Sequence, residues 1–152
     1  MRDPARLRPR RSQRPGLRLV EVEEAAGAFA KLLYAEVGGP HEWTDRLPWS
    51  AADWEQWLGR PEVGFWVLYE RGAPAGYFQL EADRAGGVEI AYLGLLAAYR
   101  GRGLGGHLLT HAVERAWAWP AAQRVWLHTC SLDSPHARAN YAARGFALYQ
   151  TS

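Results

Sequence analysis

The chain has a single cysteine, Cys130, among 152 residues. One thiol excludes an intrachain disulfide framework and suits a reducing compartment, so a cytoplasmic setting is expected. Cys130 ends an apolar run, where a buried, inert thiol is the ordinary outcome. Neither it nor Ser131 has the His-Asp company that covalent catalysis needs. No apolar run approaches the roughly 18 residues of a membrane span, so no membrane partner is expected. The Arg- and Pro-rich start lacks the apolar centre of a secretory signal. Histidine, cysteine and acidic residues never fall at metal-ligand spacing, and His107, His111 and His128 read as structural. No internal repeat is visible.

What is present is ordinary for one globular domain: 48% hydrophobic and 22% charged residues. The net charge of +2 hides an asymmetry. Arg2, Arg6, Arg8, Arg10, Arg11, Arg14 and Arg18 stand against Asp3 alone, so the rest of the chain is net negative. An acidic body favours a cationic substrate over nucleic acid. No aromatic residues interleave the arginines as single-strand binders require. Residues 1–16 hold Pro4, Pro9, Pro15 and Gly16 with little apolar content. They are expected to form a disordered basic tail, leaving 17–152 as a single domain.

Apolar periodicity then gives the elements. Leu17 to Val22 alternates as a strand, and Glu23 to Val37 reads as an amphipathic helix ended by Gly38-Gly39-Pro40. After the loop from His41 to Trp49, Ser50 caps a short helix from Ala51 to Leu58. Strands follow at Val63 to Glu70, Ala75 to Ala82 and Val88 to Leu96. A helix spans Leu104 to Trp119, a strand Arg124 to Cys130, a helix Ser134 to Arg144 and a last strand Phe146 to Tyr149. The fold class is α/β, a mixed sheet with one parallel crossover.

That crossover carries the strongest local signal. Val88 to Leu96 runs into Arg100-Gly101-Arg102-Gly103-Leu104-Gly105-Gly106, which opens the long helix. Glycines let the backbone approach a ligand. The first helical N–H groups and the dipole make an anion site suited to phosphate, and Arg100 and Arg102 add cations. Gly101, Gly103 and Gly106 fit the spacing of a dinucleotide fingerprint, but this strand comes late and no second βαβ half follows. A P-loop needs Lys-Ser/Thr after its last glycine, where this chain has His107.

Arg100-x-x-Gly103-x-Gly105 resembles the acyl-CoA-binding signature of the GNAT superfamily of N-acetyltransferases, (Gln/Arg)-x-x-Gly-x-(Gly/Ala). Ala137, Tyr141, Gly145 and Phe146 also match that family's later helix motif, with Ser134 where Asn is usual. The resemblance spans Phe65 to Tyr149 and implies the GNAT fold, a mixed central sheet flanked by helices on both faces. It implies acetyl-CoA as cofactor, held by Leu93, Gly94 and Leu95 on a splayed strand, by residues 100–106, and by Ser134 and Ala137. It also implies Tyr141 as general acid and Glu89 as candidate base, with direct attack by the amine and Leu93 N–H facing the oxyanion. Glu42 and Asp45 are rival acids. In the family the 41–49 region covers the acceptor side, so His41, Glu42, Trp43, Asp45, Trp49 and Tyr77 are substrate candidates. Indole faces attract cations and flat groups, and equally pack lids. The expected partner is a small primary amine, with a homodimer left open. The alternatives are acetylation of a protein or peptide amine, and a non-catalytic acyl-CoA sensor.

Overall fold

The computed structural model describes residues 1–39, 43–128 and 135–147. Its core is one five-stranded sheet in sequential order: β1 (Leu17–Glu21), β2 (Val63–Glu70), β3 (Ala73–Ala82), β4 (Gly87–Leu95) and β5 (Arg124–Leu127). The β1 to β4 neighbours are antiparallel, and β4 and β5 are parallel. A parallel pair needs a crossover, and helix α3 (Leu104–Trp117) supplies it.

Both sheet faces are covered, which is why β2 is apolar at successive positions. Phe65 and Val67 face α1 (Gly27–Gly38) and α2 (Ala51–Leu58), together with Tyr77, Tyr34 and Trp54. Trp66 and Leu68 face α3, where Leu108, Leu109, Ala112, Val113 and Ala116 pack on Phe78, Leu80, Val88 and Val125. Each such aliphatic side chain contributes about 1.5–3 kcal/mol by leaving water. The last helix, α4 (Pro135–Ala143), packs beside α3; the amide of Asn140 donates to the Gly105 carbonyl at 3.0 Å.

Three elements differ from the sequence reading. Helix α1 starts at Gly27 rather than Glu23; no side chain caps it, and a Cβ at Gly27 would lie 2.0 Å from the Ala51 carbonyl oxygen. The helix therefore begins where α2 crosses it. The hairpin after β2 turns on Arg71 and Gly72 alone, both at positive φ, so β3 resumes at Ala73. Strand β5 is described only to Leu127; residues 129–134 and 148–152, with half of the expected last strand, lie outside the described residues.

The N-terminal segment departs most. Instead of a disordered tail, residues 1–16 follow a defined path along α3. The Met1 ammonium donates to the Val125 carbonyl at 2.7 Å, and the Val125 N–H to the Met1 carbonyl at 2.8 Å. The Arg10 N–H donates to Thr110 Oγ1 at 2.9 Å and the Ser12 N–H to His107 Nδ1 at 3.0 Å. Arg11 pairs with Glu114, and Arg14 with Glu70. Composition predicted disorder from the tail alone; Arg11, Arg14 and the amides of Arg10 and Ser12 find their acceptors on the folded body. Among the described residues no helix is long and apolar enough to cross a membrane.

Candidate active site

The parallel ladder between β4 and β5 is short. Among the described residues it runs from Gly87 opposite Arg124 to Ile90 opposite Leu127. Strand β4 continues five residues further, to Leu95, so among the described residues that edge has no β5 partner. Unpaired edge groups offer hydrogen bonds to an extended ligand.

A bulge sits at the same place. Gln79 pairs with Tyr92 and Leu80 with Ile90, leaving Ala91 extra. Strict alternation would put Glu89 and Tyr92 on opposite faces. The bulge returns Tyr92 to the face of Glu89, where Glu81 is the direct cross-strand partner of Glu89.

The mouth of this splay is a cleft of about 360 Å³. Its lining includes Glu81, Glu89, Leu93 and Tyr141, with Tyr34, Trp43, Asp45, Arg46, Tyr92 and His128. Tyr34, Trp43 and Tyr92 form one aromatic wall, with ring centroids 5.3–5.6 Å apart. Burial pushes the Glu89 carboxyl above the ordinary carboxylate value, and the Glu81 charge opposite adds to the rise; His128 and Arg46 oppose it. Burial likewise pushes the Tyr92 phenol up to about 12 despite the hydrogen bond from Arg46.

Beyond β4 the glycine loop turns into α3. Gly103 is the N-cap, at φ +76° and ψ 19°, and Gly101 has φ +77°. Both conformations are left-handed, which side chains disfavour. No side chain caps α3, and a Cβ at Gly101 or Gly103 would meet nothing within 4 Å. The uncapped N–H groups thus open onto unfilled space.

The acetyltransferase (GNAT) family model matches residues 28–146. The chain belongs to the GNAT acetyltransferase family. Solved structures with the same fold include the aminoglycoside acetyltransferase AAC(6')-Iy in complex with a CoA-containing bisubstrate analogue. That match has TM-score 0.70 and 15% identity, over 90% of this chain and 94% of that one. An aminoglycoside acetyltransferase from an uncultured soil metagenomic sample, in complex with trehalose, gives TM-score 0.71 at 12% identity, over 90% and 93%. A ribosomal-protein-alanine N-acetyltransferase from Brucella melitensis biovar Abortus 2308 gives 0.68 at 12%, over 90% and 96%. No curated relative matches the sequence.

As a GNAT member the chain is an acetyl-CoA-dependent N-acetyltransferase. Its residues fit that cofactor. The uncapped helix start and the open space at Gly101 and Gly103 suit a pyrophosphate. The edge from Ala91 to Leu95, which has no β5 partner among the described residues and holds Leu93, Gly94 and Leu95, suits an extended pantetheine arm.

Other expected cofactor residues divide. Arg100 is exposed at the loop and donates to the Leu95 carbonyl at 3.3 Å. The Arg102 guanidinium is instead held by Glu70, 2.8 Å away, which also holds Arg14. Both cations hold the Glu70 carboxyl below the usual range, Arg14 more strongly. Leu104 is buried in the core, so only its backbone can face a ligand. The Gly105 carbonyl is bound by Asn140. Gly106 is buried under Arg10 and Arg144, whose atoms a Cβ would meet at 3.0 and 2.7 Å. It is a packing glycine, a correction to its expected place in the phosphate loop. Ala137 lies on α4, one turn before Tyr141. Ser134 lies outside the described residues.

The substrate candidates also divide. Trp43 and Asp45 line the cleft, whereas Trp49 does not and meets Trp54 and Trp57 edge-on. Tyr77 is a correction: it is fully buried in the core against Phe65, out of reach of a substrate. His41 and Glu42 lie outside the described residues.

Tyr34, Arg46, Glu81 and Tyr92 were missed in the sequence. Glu81 was legible, because the 83–87 turn sets its register against Glu89. Tyr92 was not, because nothing in the sequence announces the bulge. Among the described residues no cluster of His, Cys, Asp and Glu is suited to a metal.

Proposed function

We propose that this acetyltransferase acts on the primary amine of a small molecule by direct attack, with Glu89 as general base and Tyr141 as general acid. One observation carries the reading: a residue from β4 and a residue from α4, far apart in sequence, line the same cleft at the end of the β4–β5 ladder. Bound acetyl-CoA supplies the acetyl group as a thioester. Glu89 takes the proton that frees the amine lone pair, and burial, by raising its pKa, makes it a stronger base for that work. Glu89 returns that first proton to solvent, and as the nitrogen–carbon bond forms and the carbon–sulfur bond breaks it takes the surplus nitrogen proton. Tyr141 gives its phenolic proton to the departing sulfur and is reprotonated from solvent. The Leu93 N–H polarises the thioester oxygen.

The size of the cleft and its aromatic wall favour a small acceptor over a protein chain. Two of the similar structures are aminoglycoside acetyltransferases, and one acts on a ribosomal protein, so the acceptor class needs its own test. The single cysteine fits a cytoplasmic setting.

The test is thiol release from acetyl-CoA with a panel of small amines and, in parallel, peptides. Small-amine turnover that Glu89→Gln and Tyr141→Phe each depress supports the reading. Turnover confined to peptides replaces it with protein acetylation. Binding of acetyl-CoA with no transfer to either class replaces it with a sensor.

A further inference from the structure

Arg46 is the unexplained cation of the cleft. Its main-chain N–H donates to the Tyr34 hydroxyl at 3.1 Å, and its Nε donates to the Tyr92 hydroxyl, also at 3.1 Å. Its guanidinium carbon lies 4.1 Å from the Trp49 ring centroid. Two contacts therefore hold the side chain, and they use one of its five N–H donors. Among the described residues no carboxylate pairs with it. Asp45 is adjacent in sequence and lines the same cleft, yet forms no pair with Arg46. The Arg46 charge is felt at Glu89, but no bond joins them.

A half-buried guanidinium with a fixed Nε and, among the described residues, no acid partner is unusual, because such cations are ordinarily paired. The unengaged Nη groups form a planar fork that matches a carboxylate. The same cleft carries Glu81 and Glu89, which suit an ammonium.

We infer that Arg46 is a carboxylate subsite and that the acceptor is an amino-acid-like molecule, bearing a primary amine and a carboxylate on one small frame. This rests on the small-amine reading above and narrows it. The amine is drawn to Glu89 and Glu81, the carboxylate to Arg46. The wall of Tyr34, Trp43 and Tyr92 between them takes a flat or apolar side group. A polycation without a carboxylate, such as an aminoglycoside, meets the Arg46 charge with nothing to offset it.

The test compares matched acceptors that differ only in the carboxylate: tryptophan against tryptamine, phenylalanine against phenethylamine, with an aminoglycoside as a third arm. Thiol release is measured for the wild type, Arg46→Gln and Arg46→Lys, with the melting temperature of each. The wild type should prefer the carboxylated member in kcat/KM by about tenfold or more, the worth of a charge-assisted pair. Arg46→Gln should collapse that ratio toward one, and Arg46→Lys should restore only part of it, since the charge returns without the fork. Equal turnover of both members, or preference for the aminoglycoside, overturns the carboxylate subsite and leaves the small-amine reading standing. Turnover of peptides alone overturns both. The wild-type ratio decides the question even where a variant folds poorly.

Discussion

Replacing Glu89 with glutamine keeps the size of the side chain and removes its basicity. The carboxyl faces Glu81 across the β3–β4 ladder and is partly buried, and these two effects raise its pKa above the usual 4.5. General base catalysis is worth about 10²–10⁴-fold, or about 3–5 kcal/mol on the barrier, so Glu89→Gln should lower kcat by that factor. The assay is thiol release across pH. Because the folded pKa is raised, the acid limb of the wild-type kcat/KM profile should lie above 4.5. Glu81→Gln removes the neighbouring negative charge, so it should move that limb to lower pH while weakening the hold on the ammonium, read as a raised KM for the amine. The stability effect has the opposite sign to the activity effect. A carboxyl with a raised folded pKa costs stability as pH rises through that pKa and costs nothing below the unfolded value. Glu89→Gln should therefore melt higher than the wild type at neutral pH and equally at acid pH. Turnover within about twofold of wild type, with the acid limb unmoved, would refute the assignment of Glu89 as base.

Further outcomes follow from other parts of the structure. Tyr141→Phe should lower kcat by about 10²-fold or more, with the KM for acetyl-CoA little changed; steady-state kinetics at saturating amine would show it. Gly103→Val forces a β-branched residue to φ +76°, which costs about 1–2 kcal/mol, and it should weaken acetyl-CoA binding measured by calorimetry. Deleting residues 1–16 strips the bonds to Thr110, His107 and Val125 and should cost about 2 kcal/mol or more, a melting drop of about 4–8 °C at pH 7.5. That drop should shrink as pH falls below 6.5. Burial, then His111 and Arg11, holds the His107 pKa below its ordinary value. The contribution of neutral His107 is complete above 6.5 and is lost as pH falls toward the folded pKa, when Nδ1 can no longer accept from Ser12. Equal melting of the two chains at both pH values would show that the segment is not held in solution.

The sequence by itself determined the features that arise within one element. The apolar pattern placed α2, β2 and the start of α3 within a residue of where they lie, because burial of one face dictates the helical period and burial of both faces dictates the continuous apolar run of β2. The Ser50 cap and the left-handed glycines at 101 and 103 were legible because each answers a local backbone need. The spacing of Arg100, Gly103 and Gly105, with that of Tyr141 and Gly145, carried the family. The tertiary structure decided what depends on partners distant in the chain. The Ala91 bulge brought Tyr92 to the face of Glu89, and the fold brought Tyr141 of α4 to the same cleft. Glu70 took Arg102 away from the phosphate loop, the core took Tyr77, and the Arg10 and Arg144 side chains covered Gly106. The basic segment looked disordered because nothing within it repays the entropy of ordering. Glu114, Glu70, His107 and Thr110 supply its partners, and they converge only when α3 is laid against the sheet.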